Sequence, residues 1–226
     1  MWYGSIAMPK QDRNWLVEHI LERELRTVAE RYARGRMLDI GCGTKPYQAL
    51  FAPFVAAHVG LDHAPSRHGT ERVDLVGTAY DIPVADQEFD TAICTAVLEH
   101  LEEPERALAE CHRVLKPGGT AIYAVPFIWH VHEEPRDFFR FSRYGMQHLF
   151  EKTGFDVLEI KALSGFWVTF GQLLSYNLYR LDRGLLRRAK VVASLAWGLQ
   201  RLALGLDKLD RTEQWTWMYL AVARRR

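Results

Sequence analysis

Residues Met37–Gly43 read Met-Leu-Asp-Ile-Gly-Cys-Gly, an apolar strand closed by two glycines one residue apart. Nineteen residues after Gly43, a second apolar run, Val59-Gly60-Leu61, ends in Asp62. A strand that opens through Gly-x-Gly toward a helix lets a ligand approach main-chain N–H groups. A carboxylate about 20 residues on, at the tip of the next strand, is placed to receive two ribose hydroxyls. These features restrict the chain to an open α/β sheet whose ligand contains an adenosine-like group.

The missing residues narrow the ligand further. A dinucleotide fold uses Gly-x-Gly-x-x-Gly, the third glycine admitting close helix–strand packing beside a pyrophosphate. Here the run is Gly41-Cys42-Gly43-Thr44-Lys45-Pro46, so that glycine is absent. Lys45 also lacks the frame of a phosphate-binding P-loop. A nucleoside joined to something other than phosphate fits better.

With these residues in place, the chain resembles the class I S-adenosylmethionine-dependent methyltransferases, in their broad small-molecule group, from about Met37 to Ile160. Asp81-Ile82-Pro83-Val84 and Glu88-Phe89-Asp90 are similar to that family's L-P-F and F-D stretch. Val97-Leu98-Glu99-His100-Leu101 is similar to its V-L-E-H segment, and Glu110–Gly119 to its E-x-x-R-V-L-K-P-G-G signature. The resemblance implies S-adenosyl-L-methionine as cofactor and a seven-stranded sheet with an antiparallel last strand. One departure stands out: Gly77-Thr78-Ala79 occupies the place of a Gly-Asp-Ala in the family, leaving Asp81 as the alternative acidic contact near the adenine.

Composition supports a folded domain of modest size. The 226 residues are 48% hydrophobic, enough for a full core and against disorder. A formal charge of +1 argues against a nucleic-acid stripe. The three cysteines form no spaced pair of disulfide or metal type. No basic-then-apolar leader is apparent, which points to a reducing cytoplasm.

Strands alternate with helices along the chain, the signature of a doubly wound, mostly parallel α/β sheet. Apolar residues at helical spacing predict a helix over Asp12–Tyr32. Strands are expected at Met37–Ile40, at the run ending in Asp62, and at Arg72–Val76, Asp90–Thr95, Thr120–Val125, Phe155–Ile160 and Trp215–Ala223. Helices are expected after the glycine loop, at Glu103–Leu115 and at Arg143–Thr153. We read 1–226 as one domain, with 1–36 as N-terminal helix and lid and 165–209 as a helical insertion between the last two strands. That insertion interleaves Leu, Trp and Tyr with arginines, as two or three amphipathic helices. Three uses remain open for it: a cap over an acceptor pocket, the face of a homodimer, or, less favoured, a surface touching membrane.

Ligands of such sheets lie beyond the carboxyl ends of the strands. Asp39, Gly41, Cys42, Gly43, Asp62, Ala79, Asp81, Cys94 and Thr95 fall there and are the expected cofactor contacts. Asp62 is the ribose ligand; Asp39 either braces the loop or meets the amino end of the cofactor. His130 and His132, after the fifth strand, are the catalytic candidates: one takes the proton of an acceptor hydroxyl, or both shape the pocket. Trp129, His100 and Arg140 are placed as acceptor contacts, with pairing to Asp137 as the competing role for Arg140. A metal at His130-x-His132 is discounted for want of a second ligand cluster. His58, His63, His68, His112 and His148 receive no role, and Trp2 and Tyr3 are read as a lid or a frayed end.

The expected activity is methyl transfer to an oxygen, less often nitrogen or carbon, of a small-molecule or saccharide-like acceptor. The alternatives are a cofactor-binding sensor or scaffold without turnover, and a membrane-recruited enzyme acting on a lipid-linked glycan.

Overall fold

The computed structural model describes residues 13–63, 71–209 and 212–226. The N-terminal Trp2 and Tyr3, and His68, lie outside the described residues. In chain order the elements are α1 (Trp15–Tyr32), β1 (Arg36–Ile40), α2 (Gln48–Phe51), β2 (Ala57–Asp62), β3 (Leu75–Val76), β4 (Phe89–Thr95), α3 (Pro104–Val114) and β5 (Leu115–Pro126). There follow α4 (Arg143–Lys152), β6 (Phe155–Ala162), α5 (Phe166–Tyr179), α6 (Gly184–Arg188), α7 (Val191–Leu206) and β7 (Met218–Arg225). The chain divides into two compact units. Glu22–Leu163 with Met218–Arg226 forms one; the described residues up to Leu21 with Ser164–Trp217 form the other.

The larger unit is a seven-stranded sheet in the order β3-β2-β1-β4-β5-β7-β6. Strands β1 to β5 pair in parallel, and β7 runs antiparallel between β5 and β6. This is the expected doubly wound Rossmann-like fold with its last strand reversed. The order turns outward in both directions from β1 and β4, so the crevice at their carboxyl ends is the topological switch point. The strand expected at Arg72–Val76 shrinks to two residues, preceded by Asp74, which meets Gly60 through its main-chain N–H and its carboxylate and pairs with Lys45. Pro117–Gly119, the end of the E-x-x-R-V-L-K-P-G-G run, lies inside β5; Gly118 there has φ of 74° and no heavy atom within 4 Å of where a Cβ would stand.

Beneath the sheet, Tyr123, Phe150 and Phe155 meet edge to face with centroids 5.4 and 5.6 Å apart. That geometry is the favoured one for aromatic pairs. The core spreads from them to Leu38, Leu61, Ile82, Leu108 and Val114, all at most 1% exposed. A motif residue supplies the bracing. Glu110 accepts the Ile82 N–H at 2.8 Å and two bonds from Arg113, which also donates to the carbonyls of Ile82 and Val84 and to Asp86. The E-x-x-R spacing thus places both charges on one helical face and fixes the loop after β3.

In the smaller unit α5 and α7 pack together, with Gly171 so close to Ala203 that a Cβ there would fall 2.6 Å from it. Asp207, just past α7, accepts the N–H groups of Gly165 and Val168 and so satisfies the start of α5. The insertion expected as two or three helices contains three. No helix among the described residues is long and apolar enough to cross a membrane.

Candidate active site

The glycine loop leaves β1 into the switch crevice. Gly41 has φ of 72°, and a Cβ there would lie 2.5 Å from Val97 Cγ2, so the turn after β4 closes onto bare backbone. The sequence suggested that main-chain N–H groups here stand open to a ligand. The structure corrects this: Gly41 and Cys42 donate to the Leu61 carbonyl at 2.9 and 3.0 Å, and Gly43 donates to Asp62 Oδ2 at 2.9 Å. The glycines serve the turn and the close approach, and these three N–H groups are spent within the fold.

Asp62 ends β2 and is 7% exposed. Its Oδ1 also lies 2.8 Å from the main-chain nitrogen and 3.0 Å from the ring Nδ1 of His63, a side chain half open to solvent. Asp39 is tied down differently: its Oδ2 meets His58 Nε2 at 2.9 Å, both side chains buried. His58, given no role from sequence, is therefore the buried partner of Asp39, and the pair ties β1 to β2.

Lys45 is a second residue the sequence underrates. It has φ of 54° and a side chain 5% exposed, and its ammonium pairs with Asp74, which also accepts the Gly60 N–H at 2.7 Å. Gly60 admits this packing, since a Cβ there would meet Lys45 Cε and Cys42 Sγ. Cys42 is enclosed, and burial with nearby Asp39 and Asp62 pushes its thiol up to about 12. Cys94 is enclosed in the core, its thiol raised by burial, which leaves only its main chain to line the site; Thr95 is half-buried at the strand end. Ala79 is half-buried and Asp81 exposed, in a turn closed by the Asp81 N–H on the Thr78 carbonyl.

The other half of the site combines the turn after β4 with the loop after β5. Arg140 binds Asp137 through two oxygens at 2.6 and 2.7 Å and donates to the carbonyls of Trp129, His130 and Phe139. All five donors of a guanidinium are then used within its own loop. The acceptor-binding role is thereby withdrawn from Arg140 in favour of the Asp137 pairing. That pairing holds the Asp137 carboxyl well below the usual carboxylate range. His130 is exposed, tilted against Trp129 at 5.1 Å, and its pKa is lowered by partial burial.

His132 is half-buried: its N–H donates to Asp137 at 2.9 Å, and its ring Nδ1 stands 3.2 Å from the His130 carbonyl. His100 Nδ1 stands 2.6 Å from the Arg136 carbonyl, and burial lowers its pKa. A carbonyl only accepts, so Nδ1 carries the proton in both rings and each Nε2 presents a lone pair. The two rings meet edge to face at 4.8 Å. Beside them lies Glu99, 0% exposed, with neither carboxylate oxygen hydrogen-bonded and its pKa pushed up to about 8 by burial. The sequence names Glu99 only as part of a motif; the cluster of Glu99, His100 and His132 is what it misses.

Comparison with known proteins bears on these features. Residues 38–123 match the family model of a methyltransferase domain. A probable S-adenosylmethionine-dependent methyltransferase of Mycolicibacterium smegmatis is 30% identical over 122 residues, covering 51% of this chain and 47% of that protein. The O-methyltransferase rstn1 of Aspergillus nomiae is 29% identical over 188 residues, 70% of this chain and 84% of that protein. Among solved structures, the [4+2]-cyclase SpnF superposes with a TM-score of 0.61 at 23% identity, over 90% of this chain and 81% of that one, a likeness of fold. The chain spans less than two thirds of the length of several other curated relatives, 63% of a Methanocaldococcus jannaschii protein and 29% to 47% of three more.

Proposed function

Because this chain carries the methyltransferase domain of the class I S-adenosylmethionine-dependent family, we propose that it transfers a methyl group to an oxygen of a small-molecule or saccharide-like acceptor. The observation that carries cofactor binding is Asp62: a buried carboxylate at the tip of β2, tied to the glycine loop beside the switch point. Its charge-assisted bonds suit a ribose diol. The solvated His63 ring gives way to the sugar hydroxyls, while Gly43 keeps the carboxylate oriented. Asp39, held by His58, ties β1 to β2, the Leu61 carbonyl holds the loop, and Thr95 and Ala79 border the crevice. S-adenosylmethionine supplies an already activated sulfonium methyl. What remains for the protein is alignment, exclusion of water, and removal of the acceptor proton.

Oxygen as the accepting atom is supported by the relatives named O-methyltransferases and by the polar cluster beside the crevice. His132 is the base of this reading. Its Nδ1–H is fixed on a carbonyl, its Nε2 lone pair is free to take a proton, and Asp137 steadies the loop. His130 shapes the pocket wall. The test is calorimetric and kinetic. Asp62→Ala should weaken S-adenosylhomocysteine binding by 100-fold or more, and unchanged affinity would refute the ribose assignment. His132→Ala should lower turnover of accepted hydroxyl compounds at least 100-fold with cofactor affinity intact, and His130→Ala only a few-fold. Cofactor binding with no turnover on any acceptor would leave the sensor reading in its place.

One observation favours a second reading, recruitment to a membrane carrying a lipid-linked acceptor. Leu174, Leu195 and Leu202 on α5 and α7 are 51%, 59% and 59% exposed, in an insertion rich in arginine. Co-sedimentation with anionic vesicles, lost in Leu195→Glu with Leu202→Glu, supports it; absence of binding removes it.

A further inference from the structure

Two imidazole lone pairs and an unpartnered buried carboxylate converge after β4. Glu99 is fully buried, and neither of its carboxylate oxygens has a hydrogen-bond partner. An uncompensated buried carboxylate is expensive, and such groups are paired or coordinate metals. His100 Nε2, which carries no proton when Nδ1 donates to Arg136, lies 3.8 Å from Glu99 Oε1. Two acceptors therefore face one another, and only a shared proton or a metal ion between them relieves the contact. His132 completes the group: one ligand atom from each of Glu99, His100 and His132 lies within 4.8 Å of the other two.

We propose that Glu99, His100 and His132 bind a divalent first-row transition ion of the zinc type. The donor set, two neutral imidazoles and one carboxylate, is that of catalytic rather than structural zinc sites, leaving a coordination position open. Ligand bonds of about 2.0 to 2.2 Å require the three side chains to close by roughly an ångström, and the main chain already holds them in place. Each imidazole donates Nδ1–H to a carbonyl, the arrangement that fixes tautomer and aim in metal-ligating histidines. The Glu99 carbonyl accepts the N–H groups of Phe138 and Phe139 at 2.9 and 3.2 Å, pinning the loop that carries His132 onto the turn that carries Glu99. Asp137 and Arg140 are committed to each other and are not ligands. No cysteine takes part.

The proposal deepens, and rests on, the methyl-transfer reading in one respect: the open position is where an acceptor hydroxyl would bind. A bound cation lowers the pKa of a coordinated hydroxyl, so the proton leaves to solvent and His132 acts as a ligand instead of as the base. The site itself stands independently of that use.

The test uses the untagged, chelator-stripped full chain, titrated with Zn2+ by calorimetry and with Co2+ by visible absorption. The expected result is one ion per chain with micromolar or tighter affinity, and a Co2+ spectrum without thiolate charge-transfer bands. Glu99→Gln, His100→Ala and His132→Asn should each weaken binding at least tenfold, with folding checked by circular dichroism. Absence of saturable binding overturns the proposal, as does unchanged affinity in folded His100→Ala. S-adenosylhomocysteine affinity is measured in the same samples. Metal binding without cofactor binding leaves the ion site standing and sinks the methyl-transfer reading. Cofactor binding and turnover in stripped protein that takes up no Zn2+ does the reverse.

Discussion

Replacing Glu99 by Gln in chelator-stripped protein should stabilise the fold, and by an amount that depends on pH in a defined way. In the unfolded chain Glu99 ionises near 4.5; in the folded chain burial raises this to about 8. Between those values the native state holds a proton that the unfolded state has lost. Stability therefore falls as pH rises through the window, by about 1.4 kcal/mol per pH unit. The full effect, present above pH 8, is roughly 5 kcal/mol, a large share of the 5–15 kcal/mol that typically separates folded from unfolded protein. Gln keeps the shape and cannot ionise, so its difference from the native chain should be near zero at pH 5 and grow steadily to pH 8.

Urea unfolding followed by far-ultraviolet circular dichroism, at half-unit steps from pH 5 to 9 in the presence of chelator, measures this directly. The slope with urea should be the same for both chains, so that the shift in midpoint reports stability alone. Parallel stability curves across the window would refute the reasoning, because they would mean that Glu99 ionises as freely in the folded chain as in the unfolded one. Added Zn2+ should invert the order, since the native carboxylate then has a cation to hold and Gln does not.

Two further outcomes follow from buried charge. Asp74→Ala strands the Lys45 ammonium, whose side chain is 5% exposed, and should cost about 2–3 kcal/mol in urea unfolding; Lys45→Met with Asp74→Ala should recover most of it. Glu110 is held below the ordinary carboxylate range by Arg113, so its contribution is present above pH 4.5 and is lost as pH falls below that value. Glu110→Gln should flatten that part of the acid unfolding curve in circular dichroism.

The frame of this protein is plain in its sequence because each signal is local. Met37–Ile40, Gly41, Gly43 and Asp62 stand at fixed offsets, and the parallel order follows from helices alternating with strands. The insertion announces its helices by apolar spacing, whereas the faces they leave exposed depend on tertiary packing. His58 reads as a solvated histidine because nothing nearby in sequence shows that β2 lies beside β1, which sets it against Asp39. Lys45 reads as a failed phosphate loop because its partner, Asp74, is 29 residues away. The grouping of Glu99 and His100 with His132 escapes the sequence because the segments are 32 residues apart and the first is recognisable only as a motif. An acidic residue followed by histidine at the end of a strand, with His-x-His in the loop after the next strand, is the pattern that would have found it.

The loop after β5 shows why acceptor chemistry in such a fold is hard to assign from its histidines alone. The His130 carbonyl accepts from both Arg140 and the His132 ring, so the main chain of His130 matters more than its exposed imidazole. Asp137 fixes Arg140 by two bonds and the His132 N–H by a third, and the Phe138 and Phe139 N–H groups lock onto the Glu99 carbonyl. His132 is thus aimed by an ion pair that need touch neither cofactor nor acceptor. The same geometry keeps the lone pair of His100 on Glu99. Whichever cation fills the gap, proton or metal, it is met by ligands whose directions the backbone has already set, and reactivity at this end of the crevice belongs to the assembly of turn and loop rather than to any one side chain.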